Sequence, residues 1–178
     1  MRGSRSTLML LTTLLGACAT ARPPVPQHQT GMLADVDVPN GEKLLLRTAA
    51  KGVQIYTCKA KAADAAEYEW VLKAPEADLF DENSARIGKH YGGPTWELAD
   101  GSKVVGEVVK RVAVQGSIPW LLLKAKSNEG TGKLSAVRYI RRTDTSGGVA
   151  PATGCDAAHA GAEVRVQYLA TYDFYGAP

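Results

Sequence analysis

Asp100-Gly101 stands between Trp96-Glu97-Leu98 and Val104-Val105. An Asp-Gly pair flanked by strand-forming residues is the strongest short-range hairpin signal, because its turn needs positive φ at the central positions. The two runs must therefore pair. Gly92-Gly93-Pro94 breaks the chain just upstream and brings His90-Tyr91 back against Trp96-Glu97. Within Gly88–Gly106 the chain is thus committed to tightly turned β structure.

The rest of the sequence supplies the partners. Lys43–Arg47 and Gly52–Cys58 are strand-like, and in the second Val53, Ile55 and Thr57 alternate with Gln54, Tyr56 and Cys58. Lys59–Ala66 is alanine-rich but lacks an apolar stripe, so it reads as a loop. Tyr68, Trp70 and Leu72 alternate with Glu69, Val71 and Lys73 in a half-buried strand that Ala74-Pro75 is expected to end. Asn83-Ser84-Ala85-Arg86-Ile87-Gly88 is echoed by Gly101-Ser102-Lys103-Val104-Val105-Gly106, two copies of a turn feeding a strand. Two copies suggest stacked hairpins and are too few for a solenoid.

Gly106–Val114 has strand character. Ile118-Pro119-Trp120-Leu121-Leu122-Leu123 is the most apolar run beyond the leader and reads as a central strand buried on both faces, with Pro119 at its entrance. Val137–Arg142 returns as a strand, and Thr145–Thr153 is a loop. In the last strand Val164, Val166, Tyr168, Ala170, Tyr172 and Phe174 face one way, while Arg165, Gln167, Thr171 and Asp173 face the other. Many short strands without a convincing long helix predict an all-β fold, an antiparallel β-sandwich or barrel with little helix.

The first residues read as an export leader. Arg2 and Arg5 precede the apolar stretch Leu8–Leu15, and Leu15-Gly16-Ala17-Cys18 has the form of the lipobox of bacterial lipoproteins, in which Cys18 is lipidated. The plainer alternative is cleavage after Ala19-Thr20-Ala21, which discards Cys18. The lipobox reading divides the chain into a signal peptide at 1–17, a proline-rich tether at 18–41 and a β domain at 42–176. It places the domain in the bacterial cell envelope, bound to a lipid bilayer through Cys18. Ala19, not an aspartate, follows the cysteine, a pattern that resembles outer-membrane lipoproteins. The domain would then face the periplasm or be exposed at the surface. Pro23-Pro24-Val25-Pro26 favours extended polyproline geometry, which suits a tether.

Of the 21 basic residues Arg2 and Arg5 belong to the leader, leaving 19 against 18 acidic ones. A nucleic-acid partner is not expected from so balanced a chain. Cys58 and Cys155 remain after either cleavage, and in an oxidising compartment such a pair is expected to be bridged.

Several chemistries are set aside on spacing. Gly130-Thr131-Gly132-Lys133 has Ser127 and Leu134 where a phosphate-binding loop needs glycine and a hydroxyl, so it is a turn. The sequence has no nucleophile elbow and no metal-binding histidine or cysteine pair. His90, His159, Asp156 and Glu97 lack ligand spacing, and neither a metal nor another cofactor is expected.

A ligand surface is the leading functional reading. Tyr91, Trp96 and Trp120 offer broad apolar faces, while His90, Glu97 and Arg138 could orient a polar ligand. The plainer reading is that Trp96 and Leu98 share a face and fill the core. His90 with Glu97 could alternatively serve acid–base catalysis if the bend brings them within hydrogen-bond reach. The expectation is a non-enzymatic module that binds a small molecule or an envelope partner, with a small hydrolase or lyase using His90 and Glu97 as the alternative.

A resemblance joins these segments. Gly52-Val-Gln-Ile-Tyr-Thr-Cys58, His90-Tyr91 with Gly93-Pro94-Thr95-Trp96-Glu97, Asp100-Gly101-Ser102, Ile118–Leu123, Gly147-Gly148 with Pro151, Gly154-Cys155-Asp156 and the closing Tyr-x-Phe-Tyr resemble, in this order, domain-of-unknown-function family 3455 of secreted bacterial and fungal proteins. Lys89 stands where a smaller residue is expected. The resemblance spans about residues 41 to 175 and implies a secreted single domain with paired cysteines. It carries no catalytic residue across.

Overall fold

A computed structural model of the chain describes residues 31–33 and 35–177. Cys18 and the polyproline stretch lie outside the described residues. Eight antiparallel strands follow one another around a ring: β1 (Lys43–Ala60), β2 (Tyr68–Phe80), β3 (Arg86–Tyr91), β4 (Thr95–Leu98), β5 (Lys103–Val114), β6 (Ser117–Glu129), β7 (Val137–Gly147) and β8 (Glu163–Gly176). β8 pairs back onto β1 from Lys43↔Gly176 to Thr57↔Glu163, so the sheet closes. Of the two all-β architectures, the chain takes the barrel. A single 3₁₀ turn at Ala157–His159 interrupts the loop before β8.

Six of the strands are 11 residues or longer, more extended than the breaks in the sequence imply. Pro75 does not end β2. It sits beside a register shift in the β1 pairing and one residue short of the β3 pairing, which starts at Glu76. Strands tolerate a residue without an N–H at such bulges and edges. The hairpin around Asp100-Gly101 forms, but of the two residues only Gly101 takes positive φ, at +84°, in a turn over Leu98–Ser102 closed by the Leu98 N–H donating to the Ser102 carbonyl at 3.0 Å. The echoed segments both use an aspartate to brace their turns. Asp81 accepts from the Asn83 and Ala85 N–H groups, and Asp100 from the N–H and hydroxyl of Ser102.

The two-residue period of each strand fills the inside. Leu79, Trp96, Leu98, Val104, Leu121, Leu123, Ile140, Tyr168, Tyr172 and Phe174 form one buried cluster. β6 is buried on both faces, as its apolar run requires, but the outer cover is not another strand. Val36, fully buried, joins Trp120 and Leu122 in a second cluster, with Met32, Leu33 and Val38 packed around it. The end of the expected tether therefore lies as an arm across the outer wall. Arg141 bonds Asp37 at 3.2 Å and Arg138 pairs with Glu42 at 3.3 Å along the same stretch.

The two ends of the barrel differ. At the end holding the β7–β8 loop, Cys58 and Cys155 are bridged. Tyr56 donates its hydroxyl to the Gly148 carbonyl at 2.6 Å, and Trp70 donates its indole N–H to the Thr153 carbonyl at 3.0 Å. Tyr56, Cys58 and Trp70 hold residues 148–155 as a lid across that mouth. The wall is lowest beside it. β3 pairs with β2 only over Glu76–Phe80, and β4 pairs with β5 only over Lys103–Val105, so both longer strands outrun the β3–β4 hairpin. Glu69, Lys73, Glu107, Lys110 and Arg111 stud the two free edges, the usual protection against edge-to-edge pairing.

Candidate functional site

The Gly92–Pro94 bend sets His90 directly opposite Trp96 and Lys89 opposite Glu97. Opposed residues share a face and successive residues alternate, so His90 and Trp96 go inside while Glu97 stays outside. The bend therefore does not bring His90 and Glu97 into hydrogen-bond reach of each other. Glu97 instead accepts from the Tyr91 hydroxyl at 2.7 Å and pairs with Lys89 at 3.3 Å on the outer wall. The Tyr91 bond holds the Glu97 carboxyl below the usual carboxylate range and raises the Tyr91 phenol.

The four expected binding residues are likewise separated. Trp96 is inside the barrel, Trp120 lies outside beneath the arm, Arg138 is exposed beside Glu42, and Tyr91 is on the outer wall. They form no common surface. An open groove of about 510 Å³ runs over the outer wall beside Tyr91, between β8, β1, β2 and β3. Its flanking charges are largely spent on one another, in Arg86–Asp78 and Arg165–Glu76 pairs.

The inside of the barrel holds the more unusual chemistry. His90 stacks on Trp96 with ring centroids 4.5 Å apart, and Tyr172 approaches both rings, at 5.0 Å and 5.3 Å. Gly106 makes room for the Trp96 ring, because a Cβ there would meet it at 3.1 Å and Leu123 at 3.2 Å. Across the barrel, register places Thr48 and Arg142 on either side of Tyr172, and Leu121 opposite Arg142. Arg142 therefore projects inward with Ile140, two residues before it. Its Nε and Nη2 donate to the Pro119 carbonyl at 3.0 and 2.8 Å, where the β6–β7 ladder is broken between Ser117 and Leu121. Thr145 satisfies the neighbouring Ile118 carbonyl at 2.7 Å. The proline at the entrance of β6 thus opens a gap that an arginine fills.

His90 is neutral. Burial lowers its pKa to about 3, helped by the Arg142 charge and opposed by the bond from Nδ1 to the Thr95 carbonyl at 2.8 Å. Because a carbonyl only accepts, Nδ1 carries the proton and Nε2 is left as an acceptor. Burial also pushes the Tyr168 hydroxyl far above its usual range, with Tyr172 as a neighbouring cause.

Four buried polar atoms in this interior have no hydrogen-bond partner of good geometry among the described residues: Thr48 Oγ1, Trp96 Nε1, and the Tyr168 and Tyr172 hydroxyls, which lie near each other. Such orphans are rare in native proteins, and each costs about 1–3 kcal/mol. Sequence reasoning singled out His90 and Trp96 but missed Arg142, Tyr168, Tyr172 and Thr48. The signal was present: Arg142 is in phase with Ile140, and a cation on the apolar face of a strand is anomalous.

The architecture is that of an up-and-down β-barrel whose eight strands enclose side chains and one polar layer, a size that suits one small ligand at most. Residues 39–176 match the family described as Protein of unknown function (DUF3455), and the chain belongs to that family. No curated protein matches the chain. No solved structure matches it either.

Proposed function

We propose that this domain is a non-enzymatic binding module that takes a small molecule into the barrel, at the layer formed by His90, Trp96, Tyr168, Tyr172, Thr48 and Arg142. The observation that carries the reading is the set of four orphaned polar atoms on residues that face the barrel interior. A packed core with no other task would be more stable with apolar groups there. The low wall above Gly92-Gly93-Pro94 and the mouth beneath the 148–155 lid offer the way in. Catalysis by His90 with Glu97 has no support from geometry, since the sheet lies between them.

The test is a fragment screen by ¹H–¹⁵N NMR. Hits are expected to move the Trp96 indole and the backbone amides of His90, Tyr172 and Arg142, leaving the Trp120 indole unmoved. Tyr172→Phe is expected to weaken those hits while raising the stability of the ligand-free protein by about 1 kcal/mol in urea unfolding. A screen whose hits all fall on the outer groove, together with a Tyr172→Phe variant that loses stability, overturns the reading.

The same proposal places the module at a bilayer surface of the cell envelope, held by a lipidated Cys18. More than one acyl chain there would anchor it stably, at about 0.8 kcal/mol per buried methylene. Cys18→Ser is expected to move the protein from the membrane fraction to the soluble one, and retention would refute the anchor.

A further inference from the structure

Resting on that reading, we infer that the ligand is a small organic carboxylate and that Arg142 is the residue that recognises its charge. Arg142 is buried and makes no ion pair among the described residues. The buried carboxylates among them are taken by other cations: Asp173 lies on the outer side of β8, where Arg47 and Arg141 occupy it, and Glu42 pairs with Arg138. His90 is neutral, so the barrel interior carries a cation with no counter-charge. A buried charge is tolerated when it is paired, and an uncompensated one is the anomaly that calls for a partner.

The remaining valences describe that partner. A guanidinium has five N–H donors, and the Pro119 carbonyl takes only one from Nε and one from Nη2. The end-on edge formed by Nη1 and the second hydrogen of Nη2 remains, a fork that matches the two oxygens of a carboxylate. Tyr172 and Thr48 share the row of Arg142 in the ladder, and Tyr168 OH, Tyr172 OH, Thr48 Oγ1 and Trp96 Nε1 are buried groups of the same interior that can donate. One cation with several neutral donors fits a single negative charge. A phosphate dianion would need further cations. Ile118, Leu121 and the tyrosine rings suit an organic remainder.

Acetate and its uncharged isostere acetamide are the probes, small enough to need no knowledge of the full ligand. At constant ionic strength, acetate is expected to shift the Trp96 indole N–H resonance saturably and to raise the melting temperature. Acetamide should bind about tenfold more weakly or worse, the difference a charge-assisted hydrogen bond makes. Arg142→Gln keeps amide donors for the Pro119 carbonyl and removes the charge, so it should erase the preference for acetate. Tyr172→Phe, which disturbs packing least, should weaken acetate several-fold if Arg142→Gln does not fold.

Equal responses to acetate and acetamide would overturn the carboxylate assignment and leave the binding reading standing. A preference for acetate that survives Arg142→Gln would overturn the role given to Arg142. Silence of the Trp96 indole to both probes would overturn the assignment as well, and the fragment screen then decides separately whether the interior binds anything.

Discussion

Reduction of the Cys58–Cys155 bridge should lower the unfolding free energy by about 4 kcal/mol. The bond joins residues 97 apart in sequence, and closing a loop of roughly 100 residues removes about 4.7 kcal/mol of chain entropy from the unfolded state in the loop-closure model. The loss would not be uniform. Cys58 lies on the β1 end that also exchanges backbone bonds with Gly161 and Ala162, while Cys155 sits in the lid. Without the bridge the lid keeps the Tyr56–Gly148 and Trp70–Thr153 bonds alone. Amide exchange should therefore accelerate first in residues 148–162, ahead of β7 and β8. Urea unfolding with and without a phosphine reductant, beside a Cys58→Ala/Cys155→Ala variant, measures the total. A loss under about 1 kcal/mol would show that the ladder of β1 with β8 closes the loop in the unfolded ensemble too, and that the bridge is incidental.

The bridge also shows what a sequence discloses. Two cysteines left after the leader made a pairing legible, because pairing follows from number and compartment. The inward face of β8 was legible for the same kind of reason: a strict period of two from Val164 to Phe174 has one solution against a core. Closure was not. Whether eight hairpin-linked strands form a sandwich or a ring depends on whether β8 finds β1, a contact between residues more than a hundred apart. The apolar run of β6 announced burial on both faces, yet nothing local identified Val36 and its neighbours as the outer cover. Composition assigned them to a tether.

The candidate site divides in the same way. His90 and Trp96 stood out as rare residues beside a sharp bend, and the bend does make them neighbours. Glu97 stood out equally and is excluded by parity: it pairs with Lys89, one residue from His90, and so faces the other side. Counting residues back from the Gly92–Pro94 turn would have separated them. Arg142, Tyr168 and Tyr172 were hidden by an assumption that in-phase positions on a core-facing strand are simply core. Asp173 was assigned correctly to the outer face but is almost wholly buried there, because Arg47 and Arg141 close over it.

Acidification should remove stability in two separable stages. The first belongs to His90, whose pKa falls from 6.5 unfolded to about 3 in the barrel. Between those values the unfolded chain binds a proton that the folded chain refuses, so stability is fully present above about pH 6.5 and declines as pH falls. By pH 4 the loss is on the order of 3 kcal/mol, from about 1.36 kcal/mol per unit of pH below 6.5. The second stage belongs to Asp173. Burial alone would raise its carboxyl, but the guanidinium groups of Arg47 and Arg141 outweigh that and hold it below the usual carboxylate range. Its contribution persists above that range and is lost only as pH falls beneath it.

Urea unfolding across a pH series, read beside the imidazole resonances of His90, separates the stages. His90→Asn, whose amide can replace Nδ1–H toward the Thr95 carbonyl, should flatten its share of the pH 6.5 to 4 limb and leave the lower one. Asp173→Asn should do the reverse. At neutral pH it should also cost about 3–5 kcal/mol, because it leaves two guanidinium groups facing each other over a site built for a charge. An imidazole that titrates near its ordinary value would mean that water reaches His90 freely, and the barrel interior would then lack the low dielectric that makes an unpaired Arg142 significant.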